Sequence, residues 1–228
     1  MEENWQAATP PAAVKTQKRV VLMGASIGRE WNIPALSERM KNNDYVFEYV
    51  GKGAFDKSAQ LEEILLRREG KPDAVLIKEC AAYFPGDLVR YQQLIGQWVA
   101  ECRKHSVIPI PATVVPVTRL HSFKKVMIDI VKLRNPAKYG NPWRYRRNEA
   151  ILSYNDWLRD YCRSEGLSCL DLESAVRNQG RNRFLRGSLA RMDGLHLNKK
   201  GYRILDRVLI ATLDSVSWPL PTEDQAKR

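Results

Sequence analysis

Two short segments of this 228-residue chain hold side chains able to do covalent chemistry. The first is Gly24-Ala-Ser-Ile-Gly28, which closes an apolar run. Its glycines permit a tight turn and the close approach of a bound molecule to the Ser26 hydroxyl. A helix starting there would offer amides without intrahelical acceptors and a dipole that favours developing negative charge. Taken alone, the segment reads more simply as a glycine-rich turn or a phosphate cradle. The second is Met192-Asp-Gly-Leu-His-Leu-Asn-Lys-Lys-Gly-Tyr202. On a turn, a carboxylate three residues before a histidine can accept a bond from Nδ1 and fix the tautomer, leaving Nε2 to take a hydroxyl proton. Taken alone, Asp193 capping a turn beside a satisfied His196 is the simpler reading.

The elements that must bring these segments together alternate along the chain. Apolar runs at 19–24, 45–50, 74–77, 107–117 and 167–170 read as strands, most of them apolar enough for burial on both faces. Between them, helical spacing marks 30–41, 58–70 (capped by Ser58), a long amphipathic stretch from Asp87, 148–165 ended by Gly166, and 199–216. Such alternation predicts βαβ units and a parallel sheet covered on both faces. Active sites of open parallel sheets gather at the C-terminal strand ends, here residues 24–31, 51–58, 78–86, 114–121 and 171–196. Both chemical segments fall in that set. The string around Ser26 also fits the G-x-S-x-G elbow of α/β-hydrolases, but only one strand precedes it, which argues against that fold.

A serine after the first strand, with Asp-x-x-His before the last helix, resembles the SGNH (GDSL-like) hydrolase superfamily. Gly24-Ala-Ser26 is similar to its nucleophile block, with Ala25 where the family often has Asp, and Asp193-Gly-Leu-His196 is similar to its acid–base block. Asn148 to Trp157 and Ser168-Cys-Leu-Asp-Leu172 also resemble the family's penultimate helix and the strand after it. The resemblance runs from residue 19 to 216. It implies a three-layer α/β/α sandwich with a roughly five-stranded parallel sheet (SGNH/flavodoxin-like), and ester hydrolysis with no metal or other cofactor. It makes Ser26 the nucleophile, His196 the base and Asp193 the group that orients it. It also implies an oxyanion hole from the Ser26 N–H, a glycine after the second strand (Gly53, with Gly51 the alternative) and an Asn after the third.

That Asn is missing. Lys78-Glu-Cys-Ala-Ala-Tyr-Phe-Pro-Gly86 stands there instead, and losing one oxyanion donor typically costs about 3 kcal/mol in the barrier. Lys78, the backbone amides of Cys80 and Ala81, and a protonated Glu79 are the candidate replacements, so Lys78 and Glu79 are expected to line the substrate pocket.

The net charge is +11 and the isoelectric point about 9.6. Much of the excess lies between Val117 and Arg147, where nine Lys and Arg face a single acid, Asp129, and aromatic residues interleave. The stretch reads as a basic lid, with Arg119 and Trp143 as candidate substrate contacts and His121 as a spare base; a solvated charged face over a helix from Phe123 to Leu133 is the alternative. His105 looks structural. No zinc-finger spacing or RNA-reading aromatic signature accompanies the charge, so nucleic acid is not an expected partner. No apolar run is long enough to span a membrane. None of the four cysteines forms C-x-x-C; Cys162 and Cys169 are placed to bridge in an oxidising compartment or to stay free in a reducing one. Residues 1–18 read as a loose leader without the plan of a signal peptide, 19–218 as one domain and 219–228 as a tail. The compartment stays open between the cytoplasm and a secreted or periplasmic location, and the oligomeric state stays unassigned.

The sequence thus favours a serine esterase acting on small acyl esters, including acetyl groups on a glycan. An acyltransferase with the same triad, a catalytically weak binding domain, and an anion-binding module using the basic loop remain the competing readings.

Overall fold

The computed structural model describes residues 17–51, 53–119, 127–128, 130–132 and 141–219. Strand β1 (Lys18–Gly24) leads through one residue into helix α1 (Ser26–Trp31), then a 3-10 turn and helix α2 (Leu36–Met40). Strand β2 (Tyr45–Gly51), helix α3 (Ser58–Leu65), strand β3 (Ala74–Lys78), helix α4 (Leu88–Lys104) and strand β4 (Ile108–Ala112) follow. Helix α5 (Asn141–Ser164), the short α6 (Leu172–Val176) and α7 (Lys199–Asp214) complete the chain. The sheet order is β2-β1-β3-β4 and every pairing is parallel.

The strands alternate sides, and the two sides make two cores. Val20 and Leu22 of β1 face Ile27, Trp31, Leu172, Leu205 and Leu209. Val21 and Met23 face Leu61, Ile64, Ile95, Trp98 and Tyr154. The result is helices α1, α2, α6 and α7 on one face and α3, α4 and α5 on the other. All four of these β1 side chains are fully buried, and burial of each contributes about 1.5–3 kcal/mol.

The fifth expected strand is reduced to one bridge, Ala112 to Leu170. The prolines of β4 explain this. Ile108 N–H points to β3, where it bonds Asp73 O at 2.9 Å, so residues 109, 111 and 113 point their nitrogens outward, toward 167–170. Pro109 and Pro111 have no hydrogen there. Thr113 does, and donates to Leu170 O at 3.0 Å. Beyond Ala112 the expected strand does not continue, because two asparagines of α5 take over its peptide groups. Asn155 accepts from Val114 N (2.7 Å) and donates to Val114 O (2.9 Å), and Asn148 accepts from Val117 N at 3.3 Å.

Other boundaries shift. Helix α3 stops at Leu65 rather than Gly70, with Leu66 61% exposed and Arg67 drawn onto Glu48 of β2. Ser58 is its first residue rather than its cap: Asp56 Oδ1 accepts Ser58 N–H at 3.1 Å, and Ser58 Oγ accepts from Trp98 Nε1 at 3.0 Å. Residues 30–41 form two short helices broken at Asn32, which has φ of 49°. Helix α5 begins at Asn141, seven residues ahead of the expected start at Asn148, and Gly166 (φ 63°) ends it as expected. Cys162 and Cys169 are free thiols; their mutual hydrogen bond holds Cys162 up and Cys169 down in pKa. Among the described residues, no helix is long and apolar enough to cross a membrane and no cluster of His, Cys, Asp and Glu could hold a metal. The proposed helix 123–133 and His121 lie largely or wholly outside the described residues.

Candidate active site

Ser26 is the first residue of α1, directly beyond β1, and Asp193 and His196 stand on the turn ahead of α7. Across 170 residues of sequence, Ser26 Oγ comes within 3.2 Å of His196 Nε2. His196 Nδ1 is 2.7 Å from Asp193 Oδ2. Asp193 Oδ1 accepts the amides of Leu195 (2.9 Å) and His196 (3.0 Å), so the carboxylate is locked to its own turn. Partial burial pushes the Asp193 carboxyl up, but the hydrogen bonds from His196 and the two amides outweigh it and hold the group well below the ordinary range. The hydrogen bond to Asp193 raises His196 above its usual value, against the opposing effect of burial. With the proton on Nδ1 pointing at Asp193, Nε2 has a lone pair for the Ser26 proton.

The turn has a support that its sequence does not announce. Arg144 of α5 is 1% exposed. Its Nη1 donates to Thr118 O (3.0 Å) and Thr118 Oγ1 (2.7 Å), and its Nη2 to Asp193 O (2.9 Å). Burial lowers its pKa to about 10. Gly194 has φ of 65°, and a Cβ there would stand 2.1 Å from Thr118 Oγ1 and 2.6 Å from Arg144 Nη1. Only glycine fits between the Asp193–His196 turn and its brace.

The Ser26 hydroxyl opens onto a cleft of about 300 Å³ lined by Ala25, Ser26, Arg29, Tyr49, Gly51 and Gly53. Both candidate oxyanion glycines therefore reach it. Gly51 ends β2 where a Cβ would stand 2.0 Å from Tyr49 Oη, which donates to Ala25 O at 2.9 Å. Gly53 has nothing within 4 Å of where its Cβ would be. Cys80 lies two residues beyond β3, with Sγ 3.4 Å from Ser26 Oγ. Its thiol thus stands beside the Ser26 hydroxyl, on the loop where the resemblance calls for Asn.

Lys78 and Glu79 do not line the cleft, contrary to expectation. Each is 1% exposed and turned into the protein. Lys78 Nζ donates to Glu79 O at 2.9 Å, and burial lowers its pKa to about 8. Glu79 binds Lys57 Nζ through both oxygens, at 2.7 and 2.6 Å. Burial pushes Glu79 up to about 7 despite that partner. Lys57 also donates to Phe55 O at 3.1 Å and faces the rings of Phe55, Tyr83 and Trp98 at 5.2–6.0 Å. This fully buried pair ties the loop that follows Gly51 at the end of β2, and carries Gly53, to the loop after β3, with Cys80. The one sequence signal for it is a lysine and a glutamate at two expected strand ends.

Of the remaining candidates, Arg119 lines a neighbouring cavity. Trp143 lies under the Arg147 guanidinium, 3.7 Å from its ring centre. His105 caps the end of α4 and lends its carbonyl to Lys71 at 2.7 Å, a structural place.

Residues 29–204 match the GDSL-like lipase/acylhydrolase family. The chain is similar in structure to a GDSL-like lipase of Bacteroides thetaiotaomicron (20% identity, 89% of this chain and 91% of that one, TM-score 0.62). It is also similar to the periplasmic domain of a lipopolysaccharide acetyltransferase of Salmonella ser. Paratyphi A (14%, 89% and 86%, TM-score 0.63) and to an acetyl xylan esterase (17%, 86% and 99%, TM-score 0.55). At these identities the likeness is one of fold. No curated protein matches the chain.

Proposed function

The chain belongs to the GDSL-like lipase/acylhydrolase family and is a hydrolase; from that premise we propose that Ser26, His196 and Asp193 form its catalytic triad and cleave small acyl esters. The observation that carries the reading is the continuous relay from Asp193 through His196 to Ser26, at 2.7 and 3.2 Å. Ser26 Oγ attacks the ester carbonyl carbon as its proton passes to His196 Nε2. The tetrahedral intermediate collapses, and His196 returns that proton to the departing alcohol oxygen. Water then attacks the acyl-enzyme by the same route in reverse roles, releasing the acid and restoring Ser26. Asp193 stays ionised throughout and stabilises the imidazolium.

A cleft of about 300 Å³ fits a short acyl group better than a long one. Acetyl on a carbohydrate is the substrate we favour, in keeping with the acetyl xylan esterase and the acetyltransferase among the structural neighbours. The transferase neighbour supports a second reading, in which a sugar hydroxyl replaces water in the second step.

Turnover of 4-nitrophenyl acetate across pH tests the triad. His196 must be neutral to act as base, and its pKa is raised. The sign is therefore fixed: kcat/KM falls as pH drops through a midpoint above 6.5. Asp193→Asn removes the carboxylate that raises the pKa, so the midpoint moves down while the plateau falls about 10⁴-fold. A flat profile between pH 5 and 8 in the unaltered protein would exclude His196 as the base.

Cys80 is the proposed third oxyanion donor. A thiol is a weak donor, so its share is smaller than that of an amide. Cys80→Ala is expected to lower kcat by less than about 10²-fold, the low end for a full oxyanion donor, with KM little changed. Cys80→Asn supplies a stronger N–H and is expected to raise kcat. Full activity in Cys80→Ala would remove the thiol from the oxyanion hole.

A further inference from the structure

The turn that carries Asp193 and His196 also walls a second cavity, of about 440 Å³, outside the Ser26 cleft. Thr118, Arg119, Asn178, Arg186, Arg191 and Gly194 are among its lining residues, and no acidic side chain lines it among the described residues. The charges of its three arginines are not equally met. Arg191 pairs with Glu30 at 2.7 Å. Arg186 is held by neutral carbonyls, of Val176 at 3.3 Å and Ala175 at 2.5 Å, which orient the guanidinium without cancelling its charge. Arg119 is exposed and has no acidic partner among the described residues. Two guanidinium groups without an acidic partner among the described residues thus border one cavity, and an anion bound there would be met by charge-assisted hydrogen bonds. Phe184 and Leu185 add an apolar wall, and the volume lies in the range of small-ligand pockets.

The direction of the chemistry says which part of a substrate reaches this cavity. His196 must touch the leaving oxygen in order to protonate it, so the alcohol part of the ester departs on the side of the His196 turn. Gly194 belongs to that turn and to the cavity wall alike, and its carbonyl accepts from Thr118 N at 3.0 Å. The oxyanion candidates lie elsewhere, Gly51 at the end of β2 and Gly53 and Cys80 on the loops after β2 and β3. We propose that the cavity is a subsite for a carboxylate on the alcohol part of the substrate, so that the preferred ester is one of an acidic sugar, with Arg119 and Arg186 holding its charge. The proposal rests on the esterase reading of Ser26 and His196.

The test compares acetylated methyl glucuronide with acetylated methyl glucoside, which share acetyl group and ring and differ in the carboxylate. The ratio of their kcat/KM values is expected to favour the acidic ester by about tenfold or more, the scale of a hydrogen bond to a charged group. High salt is expected to compress the ratio, and Arg119→Glu to bring it below one. Because each ratio is taken within one protein, partial loss of folded enzyme cancels. A second arm measures binding of methyl glucuronide, and of inorganic phosphate, to the non-hydrolysing Ser26→Ala protein. Glucuronide binding that weakens in the Ser26→Ala/Arg119→Glu double variant supports the subsite even if no ester is turned over, which separates its fate from that of the esterase reading. Equal kcat/KM for the two esters would overturn the proposal, as would binding of phosphate without glucuronide.

Discussion

Replacing Ser26 with alanine is expected to lower hydrolysis of 4-nitrophenyl acetate by at least about 10⁴-fold, because the alanine leaves His196 with nothing to activate. The fold should not register the change. Among the described residues, Ser26 Oγ hydrogen-bonds the side chains of His196 and Cys80, at 3.2 and 3.4 Å, and no backbone group. A melting curve close to that of the unaltered protein would therefore assign the loss to chemistry. An organophosphonate should add its mass to the peptide that contains Ser26, and the alanine variant should escape labelling. Turnover near the original rate in Ser26→Ala would mean that another group attacks the ester, and the triad reading would fall.

Lys57→Met should produce the largest loss of stability from a single change among the residues near the site. It leaves Glu79 buried without its cation, and breaking a buried pair on one side costs about 3–5 kcal/mol. For a chain of this size, that corresponds to a melting point lower by roughly 6–20 °C. The deficit depends on pH. Burial already raises Glu79 to about 7 with Lys57 in place, and removing the cation raises it further. A carboxyl with a raised folded-state pKa binds more protons folded than unfolded, so stability declines as pH climbs toward that pKa. The gap between variant and parent should therefore widen above about pH 7. The double change Lys57→Met/Glu79→Met, which replaces both charges with apolar side chains among Phe55, Tyr83 and Trp98, should recover most of the loss. A double variant no more stable than the single one would show that the pair is not the source of the effect.

How much of this was legible in the sequence depended on the range of the interactions. β1, β3 and the long α4 follow from local apolar pattern, and Asp87 caps α4 through Arg90 N–H at 3.0 Å, as its type and place suggest. Ser26, Asp193 and His196 stand out because few other residues on the sheet's C-terminal edge have the right chemistry. What stayed hidden depends on partners far away in sequence. Nothing near Asn148 or Asn155 says that these side chains will stand in for a neighbouring strand. Nothing near Arg144 says that it will be buried against Asp193 O rather than solvated with the other basic residues of its stretch. Lys78 and Glu79 look like pocket residues by position, yet strand alternation and the loop after β3 turn them inward, and Lys57, 22 residues before Glu79, completes the pair.

The prolines of β4 have an effect beyond shortening the sheet. Strands of separate molecules join most readily along edges that present both donors and acceptors. Beyond β4, positions 109 and 111 have no N–H to offer, the Pro111 carbonyl already accepts Leu170 N–H at 2.9 Å, and the outward donor Thr113 is taken by Leu170 O. At the opposite border, Glu48 of β2 pairs with Arg19 of β1 and with Arg67, so ion pairs cover the sheet face beside that strand. The sheet is finished on the β4 side by the missing hydrogens of proline, which discourages a second copy of the chain from adding its own strand at that margin.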